Sequence, residues 1–235
     1  YPSYNLKKDL FSDMLVSGNI SLNSNGFMKN YNTNVFEKVV INDILYNSYP
    51  RFTDNGLKNN YNILFRNINT DSENSQNYKN NFDAKIASMI EFNSSYPMEK
   101  RTDYSSSILK PIISARYSPN NSKNARNEDR RINVNNVYSL DRLGLNDSVE
   151  GGGSLSFGTE FYNTDFSNRE VLNLKIANVF RLEEDKNLPS NSLLGNKTSD
   201  IFGQMNYNPN NFFNINYEFS QDQNLKDTNY QILKN

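Results

Sequence analysis

The chain has 235 residues, with Lys+Arg 25 against Asp+Glu 26 for a formal net charge of −1, and it is rich in Asn (44) and Ser (26) but has no Cys, His or Trp. Those absences exclude a Ser-His-Asp triad, a Cys nucleophile, a His/Cys zinc or haem site and any disulfide, while a carboxylate-only calcium site or paired-carboxylate glycosidase chemistry stays formally open. The balanced charge gives no general attraction to nucleic acid, and no apolar run approaches the ~18–20 residues of a membrane helix.

The first residues, Tyr1-Pro2-Ser3-Tyr4, carry neither a signal-peptide pattern nor an initiator Met, so an internal piece of a longer protein is expected. The first alternating run covers 14–22, with Met14, Val16, Ile20 and Leu22 opposed by Leu15, Ser17, Asn19 and Ser21. Weaker runs follow at 27–34, 36–48, 57–69, 80–93 and 106–117. The stretch 132–145 fits neither a strand nor an amphipathic helix clearly. Residues 152–163 set Leu155, Phe157, Thr159 and Phe161 against Ser154, Ser156, Gly158 and Glu160. Residues 169–181 set Leu172, Leu174, Ile176 and Phe180 against Asn173, Lys175, Ala177 and Val179, with Asn178 interrupting the apolar face. A run at 199–207 leads to the clearest one, 210–221, where Phe213, Ile215, Tyr217 and Phe219 alternate with Asn214, Asn216, Glu218 and Ser220. A last run covers 226–234. Turns are expected at Asn25-Gly26, Asp54-Asn55-Gly56, Ser118-Pro119-Asn120 and Asn208-Pro209-Asn210.

A period of two puts alternate side chains on opposite faces of a strand. The chain is therefore expected to be all-β, an antiparallel meander of about eleven strands. Its mean hydropathy of −0.79 suggests disorder only because it averages a polar face with an apolar one. Runs of ~9–13 residues match the ~9–11 that cross a bilayer at a tilt, against 5–6 for ordinary strands. The long connections, about 118–151 and 182–198, alternate with short ones at 164–168 and 208–211, as extracellular loops and periplasmic turns do in outer-membrane barrels. By that parity the connection 94–105 should be short, yet it reads as long. A transmembrane outer-membrane β-barrel is the favoured reading. A soluble β-sandwich binding or adhesion module is the alternative.

Four segments in order resemble the barrel of the LptD family, the outer-membrane lipopolysaccharide-assembly proteins. They are Leu109-Lys110-Pro111-Ile112-Ile113, then Asn136-Val137-Tyr138-Ser139-Leu140-Asp141-Arg142-Leu143-Gly144, which lacks the family's Gly between Ser139 and Leu140. Next come Asp147-Ser148-Val149-Glu150-Gly151-Gly152 and the stretch from Leu188-Pro189-Ser190 through Gly195 to Ser199-Asp200-Ile201. The resemblance marks Asp141, Arg142, Gly151, Pro189, Gly195, Ser199 and Asp200 as family-motif loop residues. It implies that residues 1–235 are one partial domain, the middle of a barrel of about twenty-six strands, in the outer membrane of a Gram-negative bacterium. It further implies a non-enzymatic part of the translocon that inserts lipopolysaccharide into the outer leaflet, with no cofactor. Implied partners are lipopolysaccharide, outer-membrane lipid, an LptE-like plug lipoprotein in the lumen, and periplasmic bridge proteins reached through an N-terminal domain outside this chain. A general porin or receptor barrel is the nearest rival.

In this reading Ser154, Ser156, Glu160, Asn173, Lys175, Asn214, Asn216 and Glu218 face the lumen. Leu155, Phe157, Phe161, Leu172, Leu174, Ile176, Phe213, Ile215, Tyr217 and Phe219 face lipid. Lys123, Arg126, Arg130 and Arg131, with Glu128 and Asp129, read as a mixed-sign solvated loop. Asp141 and Arg142 are expected to form an exposed ion pair pinning the loop, contributing only ~0–1 kcal/mol. Glu183-Glu184-Asp185 reads as a polar loop, with divalent-cation binding as the other reading. Gly151, Gly152 and Gly153 are expected to be a flexible strand entry.

Overall fold

The structure is a computed structural model that describes residues 2–13, 17–31, 33–145, 147–210 and 212–234. Met14, Leu15 and Val16 of the expected run 14–22 lie outside the described residues. Every strand described belongs to one antiparallel sheet. In chain order the strands are β1 (Ser3–Asp13), β2 (Gly18–Asn30), β3 (Phe36–Ser48), β4 (Arg51–Phe52), β5 (Lys58–Glu73), β6 (Asp83–Ser95), β7 (Met98–Arg101), β8 (Ser105–Ser118), β9 (Gly152–Asp165), β10 (Glu170–Arg181), β11 (Ile201–Asn210), β12 (Phe213–Gln221) and β13 (Thr228–Lys234). Eleven of them pair in sequence order as a meander, while β4 and β7 add short pairs to β5 and β8.

The strand plan differs from expectation in four places. Gly18–Asn30 is one strand, because Asn25 and Gly26 pair with Ile41 and Val40 rather than turning. The Tyr4 ring of β1 covers Gly26, leaving no room for a Cβ there. Strand β1 itself carries no clean alternation, since Lys7, Lys8 and Asp9 fall on successive slots. Third, the connection 94–105 is a tight turn at 102–104. Ser95↔Ile112 and Met98↔Leu109 keep one register, so β7 continues β6 across Tyr96-Pro97. The Tyr96 N–H donates to the Pro111 carbonyl at 3.1 Å. Pro111 has no N–H to return, and neither does Pro97, so the ladder breaks there. Tyr49-Pro50 separates β3 from β4 one hairpin earlier, there with a one-residue shift of register along β5. Asn208-Pro209-Asn210 likewise lies within β11 instead of forming the turn.

One end of the sheet is closed by short turns, including 53–57, 102–104 and 166–169. The other end carries 31–35, 74–82, 119–151, 182–200 and 222–227, so every long connection lies at one end. The two sheet faces are also unlike. One is covered by the long connections and is called the inner face below. The other is bare and apolar: Phe65, Ile90, Phe92, Tyr117, Phe157 and Phe180 are all exposed on it. Three of its glycines are roofed by rings, Gly18 by Tyr46, Gly26 by Tyr4 and Gly203 by Phe219, as aromatic side chains commonly cover strand glycines.

Candidate functional site

The inner face holds the loop 119–151, whose described residues form no strand yet place a set of fully buried side chains against the sheet. Ile132, Val137 and Leu194 are 0% exposed, packed with Leu143, Leu145 and Leu188 onto Ala177, Val179 and Phe202 of β10 and β11. Val149 packs with Leu64, Ala87 and Met89 of β5 and β6. The irregular stretch 132–145 thus supplies a core in which neither helical nor strand periodicity is required. Each fully buried aliphatic side chain contributes about 1.5–3 kcal/mol. Apolar burial therefore supplies most of the docking energy.

Charges set the register of that docking. Glu150 is ringed by three arginines. It accepts from Arg142 Nε at 2.7 Å and also from Arg142 Nη2, from Arg116 Nη1 at 3.1 Å and from Arg181 Nη1 at 2.5 Å. Arg116 also pairs with Glu91 at 3.2 Å and donates to the Ser139 carbonyl. Arg142 reaches Ser154 Oγ at 3.1 Å and Ser156 Oγ at 3.2 Å. Arg181 donates to the Gly151 carbonyl at 2.6 Å. Beside this group, Arg66 binds Asp43 with two nitrogens at 2.8 and 2.9 Å, Asp141 at 3.1 Å, and the carbonyls of Leu145 and Ser148. Four arginines thus face four carboxylates, so the cluster is neutral. A buried ion pair roughly offsets its own desolvation but leaves a large cost when broken, which suits a device that specifies position.

The expected exposed Asp141–Arg142 pair is therefore corrected. The two neighbours point to different partners, Arg66 and Glu150, and Arg142 is fully buried. The glycine run is corrected too. Gly151 lies against the Asn120 carbonyl and Gly153 against Leu182, so neither position has room for a Cβ, and only Gly152 has positive φ, +76°. Gly158 is equally confined, with the Tyr138 hydroxyl in contact range of any added Cβ.

The remaining motif residues fasten the second long connection. Pro189 is fully buried, and Gly195 backs onto the Asp185 carbonyl while accepting the Asp185 N–H at 2.8 Å. Ser199 Oγ accepts the Val179 N–H at 3.0 Å. Asp200, 0% exposed, accepts from Ser220 Oγ and Asn229 Nδ2, both at 2.6 Å. Asn178, the polar slot on the apolar face, is satisfied by the Ser199 and Asp200 carbonyls at 2.9 and 3.0 Å. The two connections also meet: Ser122 Oγ donates to Asp185 at 2.5 Å, and Asn191 to Asp129 at 2.8 Å. Arg130–Glu128 and Arg131–Asp129 are exposed pairs at the tip, and Arg131 lies 5.6 Å from the Tyr230 ring on β13. Among the described residues no group of carboxylates at 183–185 or elsewhere has the arrangement of a metal site.

Of the inner-face residues, Ser154 and Ser156 serve the chain's own loop. Glu160, Asn173, Lys175, Asn214, Asn216 and Glu218 share the same face by register, farther from the loop-bearing end. There Lys110 pairs with Glu160 at 3.0 Å, Lys175 donates to Asn135 at 3.3 Å and Tyr230 to Glu218 at 3.1 Å. The ten apolar candidates, from Leu155 to Phe219, all fall on the bare face by register. What sequence reasoning missed is the strand half of the charge cluster: Asp43, Arg66, Glu91, Arg116 and Arg181. Their one local signal was a charge at an inner-face slot of a long strand.

Burial alone would raise the Glu150 carboxyl, but Arg142, Arg116 and Arg181 outweigh it and hold it at about 2, against 4.5 when unfolded. A depressed carboxyl stabilises above its unfolded value and loses that contribution as pH falls through the folded one. Asp141 runs the other way: burial raises its carboxyl more than Arg66 lowers it, so acid relieves it. Pepsin cleavage inside 119–151 is accordingly expected to stay low at pH 4 and to appear only near pH 2. Cleavage already prominent at pH 4 would refute the lock.

An antiparallel meander with an apolar bare face, a polar inner face and its long loops gathered at one end defines a β-barrel wall. A family model described as LPS transport system D, LptD, matches residues 51–233. The chain belongs to the LptD family. A search of curated proteins found no match.

Proposed function

We propose that this chain is a section of the outer-membrane barrel through which a Gram-negative cell delivers lipopolysaccharide to its outer leaflet. The observation that carries this reading is the asymmetry of the sheet. In water the bare face would leave a broad apolar surface uncovered, which soluble monomers avoid, and no second layer packs on it among the described residues. A bilayer covers it. Leu155, Phe157, Phe161, Leu172, Leu174, Ile176, Phe213, Ile215, Tyr217 and Phe219 then face lipid, and the polar inner residues from Glu160 to Glu218 face the lumen. The long connections 119–151 and 182–200 lie on the extracellular side, folded inward over that lumen. Lipopolysaccharide and outer-membrane lipid are the partners this arrangement supports directly. The family resemblance adds a plug lipoprotein and periplasmic bridge proteins, and the chain's role is structural and conductive, without catalysis.

Depletion of the full-length protein is expected to lower surface lipopolysaccharide; normal export after complete depletion would sink the proposal. The lipid-facing assignment has its own check. Ile176, 45% exposed in the middle of β10, becomes a buried charge on replacement by Arg. Ile176→Arg is expected to cost about 2–4 kcal/mol of barrel stability in a bilayer, seen as a lower denaturant midpoint in liposomes. Lys175→Arg on the other face should leave the midpoint unchanged.

A further inference from the structure

The bare face is not apolar to the same height everywhere. On β9 the successive outward positions are Leu155, Phe157, Thr159 and Phe161, and on β12 they are Phe213, Ile215, Tyr217 and Phe219. Each of these runs covers roughly 20 Å along its strand. On β2 only Ile20 and Leu22 lie between Gly18 and Ser24, and on β3 only Ile44 and Tyr46 lie between Asn42 and Ser48. Those runs cover roughly 7 Å. Both ends of the short stretch are polar. Toward the loop-bearing end a hydrogen-bonded row crosses three strands: Ser24 Oγ donates to Asn42 Oδ1 at 2.7 Å, and Asn42 Nδ2 to Asn67 Oδ1 at 3.2 Å. Asn69 Nδ2 donates to the same Asn67 oxygen at 2.5 Å, and the Tyr4 hydroxyl lies 3.2 Å from Ser24 Oγ. Toward the short-turn end stand the Tyr46 and Tyr61 rings, 6.0 Å apart, a residue type that favours the membrane–water interface. Between the two, Lys8 takes the outward slot level with Leu22, Ile44 and Phe65. It is exposed and has no carboxylate partner among the described residues. A bilayer of full depth would bury this ammonium and the amide row in hydrocarbon, where polar groups on the lipid face are costly.

We propose that Lys8 and the amide row thin the bilayer along β1, β2, β3 and β5, so that lipid headgroups and water meet this arc closer to the membrane midplane than they do at β9 and β12. The proposal rests on the lipid-facing reading of the bare face and adds where that contact is shallow. A bilayer thins beside a wall whose apolar height is short. Headgroups fit the arc better than a second protein does. The row from Ser24 to Asn69 already satisfies its amides internally, and Lys8 complements the phosphate of a lipid headgroup.

The experiment places a spin-labelled azidophenylalanine at Ile44 or at Ile176 of the full-length protein in dioleoylphosphatidylcholine liposomes. The two side chains are matched, 46% and 45% exposed, and both lie mid-strand on the bare face. Relaxation by a water-soluble nickel chelate reports water, and relaxation by oxygen reports hydrocarbon. Nickel is expected to relax the Ile44 label several-fold more than the Ile176 label, and less than a label at Tyr104, which is 80% exposed at the turn 102–104. Lys8→Leu combined with Asn42→Leu is expected to lower nickel access at Ile44 toward the Ile176 value. An unchanged melting midpoint shows that each labelled protein is folded. Equal shielding of Ile44 and Ile176 from nickel would overturn the proposal, because the bilayer then has one depth. Nickel access at Ile44 unmoved by the double variant would overturn it as well, since the polar groups would then not set the depth. Exclusion of both nickel and oxygen from Ile44 would also overturn it and assign the arc to a protein partner. Nickel reaching Ile176 as freely as Tyr104 would instead remove the lipid-facing reading itself, so the two failures are told apart.

Discussion

Glu150→Gln is expected to release the loop 119–151 while leaving the strands paired. The substitution keeps the shape and removes the charge that Arg116, Arg142 and Arg181 share, in a site where all four side chains are at most 3% exposed. Glu91 still answers Arg116, but Arg142 and Arg181 have no other carboxylate partner among the described residues. Removing one partner of a buried pair costs about 3–5 kcal/mol. The apolar patch of Ile132, Val137 and Leu143 opposes release, so the variant should show the loop opening and closing rather than a melted sheet. Hydrogen exchange is the measurement. Amides of 119–151 should lose protection by two to three orders of magnitude at about 1.4 kcal/mol per decade, with β8–β10 unchanged. Equal loss across the strands would mean that Glu150 stabilises the wall and not the loop.

Gly158→Ala is the second large effect. An added Cβ meets the Tyr138 hydroxyl and the Ile176 carbonyl at less than van der Waals distance. The carbonyl belongs to a paired strand and cannot move freely, so Tyr138 must withdraw. Overpacking of this kind costs about 1–3 kcal/mol. The Tyr138 hydroxyl is buried and has no hydrogen-bond partner among the described residues, so Tyr138→Phe alone should be neutral or mildly stabilising, because an unsatisfied polar group is removed. The double variant should then recover part of the loss. A double-mutant cycle on thermal melts checks this, and strict additivity would show that the two residues do not meet.

The two-faced sheet was legible because a strand's period of two is a local property. Phe213 to Phe219 and Leu155 to Phe161 carry it almost without interruption, and their register agrees with the alternation. Errors came where local chemistry had two meanings. Asn25-Gly26 is a turn signal by itself, yet with Tyr4 laid over Gly26 it continues a strand. Pro97 looked like the middle of a long loop, yet it interrupts a ladder whose register persists on both sides. Strand β1 was missed because Lys7-Lys8-Asp9 hides its alternation. The loop lock was half legible. Resemblance picked out Asp141, Arg142, Gly151, Pro189, Gly195, Ser199 and Asp200, and each of them fastens a connection. Their strand partners lie up to 75 residues away, as in Arg66 and Asp141, and no pattern along the chain announces such a pairing.

The loop 119–151 also fixes an order of events. It is made between β8 and β9, but Asp141 waits for Arg66 on β5, Glu150 for Arg181 on β10, and Arg131 for Tyr230 on β13. Strands β5 to β13 span eight places in the sheet. The loop, tip included, makes its full set of contacts only once that whole arc has paired, so its closure of long chain segments comes late, when most of their entropy has already been lost to the sheet. A barrel still under construction therefore carries this segment loose, and a seated loop is the sign that the arc from β5 to β13 behind it has paired.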